Sequence, residues 1–208
     1  MSEGVLRFSV TERALHWAFA SGYLLLLASG LPLMVPALRG WIRGYSPLTG
    51  ERLHLACGIF WVVATLGVLA LGDRRRVGST LGDMTTLEPG DGPWLRRFPR
   101  WLVATAVERA RLDRAVGRFN AGQKINEVFT LVTASLLLVT GVAPWPVGAD
   151  GLWGAAHRWL TVFVLIPIAG HIFLAAVHPS TRHVLTGMLD GRVGREWAAT
   201  HHPRWGPQ

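Results

Sequence analysis

Apolar residues gather into four long runs along this chain, and polar residues fill the segments between them. The runs lie near Ala14–Pro36, Leu53–Leu71, Ile125–Ala143 and Trp159–Val177. Each is close to the roughly 20 residues needed to cross a hydrocarbon core of about 30 Å. Each predicts a helix, because in lipid every backbone amide must be satisfied within its own segment. The first run is too long for a signal-peptide core and lacks a clean cleavage site, so it is expected to remain as an anchor. A polar loop over 72–124 separates the second run from the third, and a polar tail covers 178–208. Within the loop, Gly72–Gly92 is rich in Gly, Asp and Thr and predicts irregular structure. The stretch Trp101–Gly117 is basic and amphipathic, and predicts a helix lying along the membrane surface. The fold class expected is an all-α membrane protein, a single domain over 1–208 built as a bundle of four transmembrane helices.

Composition supports that class. Only 16% of the 208 residues are charged and the mean hydropathy is +0.30, values that exclude an ordinary soluble domain. Of the 21 Lys and Arg, seventeen fall in the N-terminal segment, the 72–124 loop with Lys124, and the tail. The remaining four are Arg39, Arg43, Arg52 and Arg158. This asymmetry predicts a multi-pass protein of the bacterial cytoplasmic (inner) membrane with both termini cytoplasmic. The high pI then reflects topology and attraction to anionic membrane lipid, not a nucleic-acid partner. Trp17, Trp61, Trp145, Trp153 and Trp159 are expected as interfacial anchors. The lone Cys57 excludes an intrachain disulfide, a covalently attached c-type haem and a cysteine-bound iron–sulfur cluster.

Histidines carry the candidate chemistry. His157 and His171 are fourteen residues apart, which places them on one face of a helix and about 21 Å apart along it. With the amino end inside, His54 and His157 lie at the outer level, and His16 and His171 lie toward the inside. Depth alone pairs them, and two stacked bis-histidine b haems follow, with these four residues as axial ligands to haem iron. Bis-ligation leaves no open position, so such sites transfer electrons and do not bind oxygen. Gly30, Gly58 and Gly170 are candidates for close approach of a haem, and Pro167 should kink the fourth helix between its histidines. Glu12 and Arg13, beside His16, are candidates to meet haem propionates. His178 follows His171 by seven residues on nearly the same stripe and could compete as the inner ligand, but its place before Pro179 favours an interfacial residue. His183, His201 and His202 are expected in contact with solvent or a partner.

Phe119-Asn120-Ala121-Gly122-Gln123-Lys124 stands at the inner start of the third span. Asn120 or Gln123 could donate a hydrogen bond to a quinone carbonyl, and Gly122 would let a ring approach the backbone. An ordinary helix start with Asn120 as N-cap explains the same residues. Glu127, one turn further on, is either a proton relay for quinone reduction or a snorkelling carboxylate.

Several segments together resemble the gamma (cytochrome b) subunit of membrane-bound respiratory formate dehydrogenases. They are R-F-S-V-T-E-R-A-L-H-W from Arg7, L-H-L-A-C-G-I-F-W from Leu53, F-N-A-G-Q-K, L-L-V-T-G-V, the two histidines of the last span, and the terminal R-E-W-A-A-T-H-H-P-R-W. The resemblance covers most of Arg7–Trp205 and is weakest over Leu38–Arg52, Asp73–Val116 and Pro144–Ala155. It implies two b haems, with outer ligands at His54 and His157 and inner ligands at His16 and His171. It also implies a quinone pocket at Asn120, Gly122 and Gln123. The implied partners are an iron–sulfur beta subunit and a molybdenum- or tungsten-containing catalytic alpha subunit. Electrons would reach menaquinone or ubiquinone near the cytoplasmic side, the subunit having no formate chemistry of its own. The whole complex could form a higher oligomer. The long arginine-rich loop, the polar Ile125-Asn126-Glu127-Val128 and the extra His178 depart from the pattern. Two other readings stay open: a cytochrome b serving a hydrogenase or another molybdoenzyme, and a haem-free transporter or passive anchor.

Overall fold

The computed structural model describes residues 4–40, 42, 44–143, 151–179 and 181–206, without the side chain of residue 183. Trp145 and Arg43 lie outside the described residues, as does the His183 side chain. In chain order the elements are β1 (Gly4–Leu6), α1 (Val10–Met34), α2 (Pro36–Arg39), α3 (Pro47–Leu71), α4 (Arg74–Thr85), α5 (Asp91–Val103), α6 (Ala106–Leu112), α7 (Ala121–Val142), α8 (Leu152–Ile172), α9 (Leu185–Leu189), β2 (Arg192–Gly194) and α10 (Arg195–His201). Four helices are long and apolar enough to span a membrane: α1, α3, α7, and α8 with its continuation to Val177. These are the four predicted runs. Large apolar side chains stay exposed along them, as at Val63 (63%) and Ile166 (80%), and lipid or another apolar surface must cover such faces.

Local chemistry sets the boundaries, and most helices begin earlier than hydropathy predicts. A capping box of Ser9 and Glu12 starts α1 at Val10. Ser46 accepts from the Thr49 amide and Pro47 occupies the first turn, so α3 starts six residues before Leu53. Asn120 and Gln123 form the box that starts α7. At the far end of α1, Pro36 has no N–H to offer the Pro32 carbonyl. Arg39 closes that gap, donating from Nε to Pro32 and from Nη2 to the Leu33 carbonyl, both at 2.9 Å. The helix α8 runs through Pro167 as one element and ends in a π-turn over Phe173–Val177.

Two compact units make up the chain: Ser9–Val77, and Met1–Phe8 with Gly78–Gln208. In the first, α1 and α3 form an antiparallel pair. Trp61 is a core residue of this pair, 8% exposed and edge-on to Phe19 and Tyr23. It is not the interfacial anchor expected, because α3 begins at Pro47 and leaves Trp61 mid-helix.

In the second unit α7 packs on α8, and the polar loop and tail fold together. The irregular loop expected over Gly72–Gly92 is mostly helical, since α4 and the start of α5 occupy it. The expected surface helix over Trp101–Gly117 is also corrected, because the chain breaks at Ala104. There Trp94, Trp101, Val116 and Ala121 form a core joined by Leu95, Phe98, Leu102 and Leu112. The amphipathic face is thus buried in protein. Strand β1 pairs antiparallel with β2, Val5 opposite Val193, and ties the amino end to the tail.

Candidate functional site

The four membrane histidines fall on two helix pairs, two in each unit. In the first unit the His54 ring from α3 lies against α1 at Ser29 and Gly30. Its Nδ1 is 3.0 Å from the Ser29 hydroxyl, and a Cβ at Gly30 would come within 3.0 Å of the ring. His16 is fourteen residues before Gly30 on the same helix, so the two histidine levels differ by about 21 Å along α1. In the second unit His157 lies against α7 at Thr140 and Gly141, with Nδ1 3.1 Å from the Thr140 hydroxyl. A Cβ at Gly141 would come 3.2 Å from that ring. His171 is fourteen residues further along α8, again about 21 Å. Each unit therefore carries imidazoles at two levels with the same spacing.

The acceptors around each ring bear on its tautomer, and His157 also bonds the Leu137 backbone carbonyl. Ser29 Oγ donates to the Leu25 carbonyl at 2.8 Å, and Thr140 Oγ1 donates to the Leu136 carbonyl at 2.7 Å. A hydroxyl has one proton, so each can only accept from its histidine. Nδ1 then carries the N–H in both rings, and Nε2 carries the lone pair. Neutral imidazoles in this tautomer are the donor type that axial ligation of haem iron requires, so the residues present fit the group.

The glycines expected to admit a haem divide differently. Gly30 seats the His54 ring itself. Among the described residues, and leaving aside the local helix, nothing lies within 4 Å of a Cβ at Gly170, and one at Gly58 would meet Leu26. Glu12 serves the α1 cap. Its carboxylate accepts from the Ser9 amide at 2.6 Å and meets Arg76 at 3.6 Å. Thr140 and Gly141 lie in the L-L-V-T-G-V segment without a role assigned there, and Ser29 carries no sequence signal, since Ser and Thr bonding back to a carbonyl four residues earlier are common in membrane helices.

At the start of α7 the capping box uses the side-chain oxygens. Asn120 Oδ1 accepts from the Gln123 amide at 2.9 Å, and Gln123 Oε1 accepts from the Asn120 amide at 3.0 Å. What the two side chains have left to donate is their NH2 groups, the groups a carbonyl would need. Gly122 is occupied by the Trp94 ring, which a Cβ there would meet at 3.2 Å. Asn120 is about 30 Å along α7 from Gly141, so this corner belongs to the His171 end of the unit. Glu127 is half-buried, one turn past Gln123. Lys124 is buried and ion-paired with Asp91 at 2.9 Å, which locks α7 to α5.

Tail histidines are structural. His202 is 4% exposed and donates from Nδ1 to the Gly117 carbonyl at 2.7 Å. Burial, with Arg7 nearby, pushes its pKa down to about 3. His201 donates to Asp113, which also accepts from the indoles of Trp94 and Trp101. His202 is withdrawn from solvent because the tail folds onto the loop, whereas His201 stays partly exposed. His178 Nε2 accepts from Arg109 at 3.3 Å, a contact that occupies a ligating nitrogen.

A family profile described as prokaryotic cytochrome b561 matches residues 7–191. The chain belongs to the prokaryotic cytochrome b561 family. Among curated relatives, the cytochrome b556(Fdn) subunit of the nitrate-inducible formate dehydrogenase of Escherichia coli is 28% identical, over 98% of this chain and 91% of its own. The cytochrome b556(fdo) subunit of the same organism's other formate dehydrogenase is 25% identical over 97% and 91%. A formate dehydrogenase cytochrome b556 subunit of Haemophilus influenzae is 26% identical over 97% and 82%. This cytochrome b561 family member is thus a homologue of cytochrome b556 subunits of formate dehydrogenase. Membership implies haem b, and the four apolar helices make it a multi-pass protein of a bacterial inner membrane.

Proposed function

We propose that this protein is the di-haem cytochrome b subunit of a respiratory formate dehydrogenase, carrying electrons to a quinone. The observation that supports it most strongly is the repeated two-level spacing: His16 with His54, and His157 with His171, each about 21 Å apart. His54 and His157 would hold an outer haem b, and His16 and His171 an inner one. Haem iron with two axial imidazoles supplies one-electron transfer without binding oxygen. Asn120 and Gln123 would donate to a quinone carbonyl, and Glu127 would relay protons to it from the cytoplasm. An iron–sulfur subunit and a molybdenum- or tungsten-containing catalytic subunit would deliver electrons from the outer face, with both termini of this chain cytoplasmic.

The test is a reduced-minus-oxidised spectrum of the detergent-purified chain, with haem counted per polypeptide. Two low-spin b haems per chain are expected. A folded chain that takes up no haem under ample supply would return the transporter or passive-anchor reading to first place.

A further inference from the structure

We propose that Ser29 and Thr140 are positioning residues, each fixing the tautomer and the angle of one haem-ligating ring. The proposal rests on the haem-ligand reading of His54 and His157. In each unit the same three-part device occurs. A hydroxyl anchored to its own helix, Ser29 to Leu25 and Thr140 to Leu136, accepts the imidazole Nδ1–H, and at His157 the Leu137 carbonyl is a second acceptor. The next residue, Gly30 or Gly141, has no side chain, and a Cβ there would meet the ring at 3.0 or 3.2 Å. With haem bound, the hydroxyl would help keep Nε2 as the ligating nitrogen, and the glycine would limit how the ring is turned.

Both effects have electronic consequences. An imidazole whose N–H is held by an acceptor is a more basic ligand, and a more basic ligand favours ferric iron. Without the hydroxyl, the ferrous state gains and the midpoint potential of that haem rises. The ring is also freer to rotate, which alters the ferric low-spin resonance. Removing an outer-shell partner of this kind costs about 10- to 100-fold in metal-site affinity or activity, so weaker retention of one haem accompanies the shift.

The test uses the full chain in membranes with its partner subunits, read by haem content, redox titration and electron paramagnetic resonance. Thr140→Val removes the hydroxyl at nearly constant volume, Thr140→Ser restores it, and Ser29→Ala is the matching change in the other unit. In Thr140→Val one of two midpoint potentials should rise and one ferric signal should move, while Thr140→Ser behaves as wild type. Ser29→Ala should move the same haem. Shifts of different haems would keep the positioning role and overturn the pairing of His54 with His157. Wild-type potentials and signals in both Thr140→Val and Ser29→Ala would overturn the proposal. Should Thr140→Val fail to accumulate, Ser29→Ala alone decides it by the same readout. His157→Ala retaining both haems would instead overturn the ligand assignment, a separate failure.

Discussion

A buried histidine and a membrane histidine look alike in a sequence, and their fates here differ because of what each ring nitrogen meets. His54 and His157 were legible because an imidazole in a long apolar run has few structural uses. His202 was not, because its burial depends on a tail that folds back onto Gly117 and Arg7. Arg7 is wholly buried among Phe8, Phe119, Trp197 and Trp205. It exchanges bonds with Arg118, each guanidinium donating to the other residue's carbonyl. Burial, then the Arg118 charge, pulls the Arg7 pKa down to about 9. A second cation beside it is unwelcome, so His202 stays neutral when folded. Its folded pKa of about 3 lies below the unfolded value of about 6.5. The stability it contributes is therefore complete above about pH 6.5 and is lost as pH falls toward 3. The expected loss is about 1.4 kcal/mol per pH unit, or about 2 kcal/mol between pH 6.5 and 5. Unfolding followed by tryptophan fluorescence at these two pH values measures it. His202→Gln, which keeps an N–H donor without titrating, should flatten the slope. An equal slope in that variant would place the titration elsewhere.

Among the elements, hydropathy located all four spanning helices and misplaced their starts. It tracks the lipid-facing length, whereas caps at Ser9, Ser46 and Asn120 fix where helical hydrogen bonding begins. The segments α4 and α5 were hidden by their glycines and arginines, and Pro93 and Pro99 argue locally against a helix. Burial of Trp94 and Trp101 against Val116 and Ala121 overrides that propensity. The α7 terminus shows how one motif serves two readings at once. Its capping box needs oxygens at positions 120 and 123, whereas a quinone would need the NH2 groups. Asn120→Asp and Gln123→Glu separate these roles, since Asp and Glu cap as well but have no NH2. Either variant should leave helix content and haem per chain unchanged. Formate-driven quinone reduction should fall by about tenfold or more, the cost of about 1.5 kcal/mol for one hydrogen bond to a reacting carbonyl. Glu127→Gln should slow turnover with haem intact as well. Wild-type rates in all three would leave this corner as a helix cap only.

Across the molecule, the same 14-residue separation governs both units, and that regularity carries the strongest constraint on haem pairing. His157 and His171 on α8 are about 21 Å apart, too far to serve one iron. His16 and the His54 contact at Gly30 are separated by the same distance along α1. With these four histidines as the proposed axial ligands, each iron would draw one ligand from each unit, which leaves two pairings. The proposed pairing of His54 with His157 rests on the positive-inside asymmetry of the sequence. That argument needs no side-chain geometry, so the candidate ligands follow from the sequence alone. The hydroxyl-and-glycine seats were not legible, because they depend on which turn of one helix faces a ring from the next. Haem counts in double variants discriminate the pairings directly. His54→Ala with His157→Ala should remove one haem and leave the other with its wild-type spectrum and potential. His16→Ala with His171→Ala should do the converse. His54→Ala with His171→Ala takes one ligand from each pair and should leave neither haem. If that last variant kept one haem and the first kept none, His54 would pair with His171, and the orientation of one helix pair would be reversed.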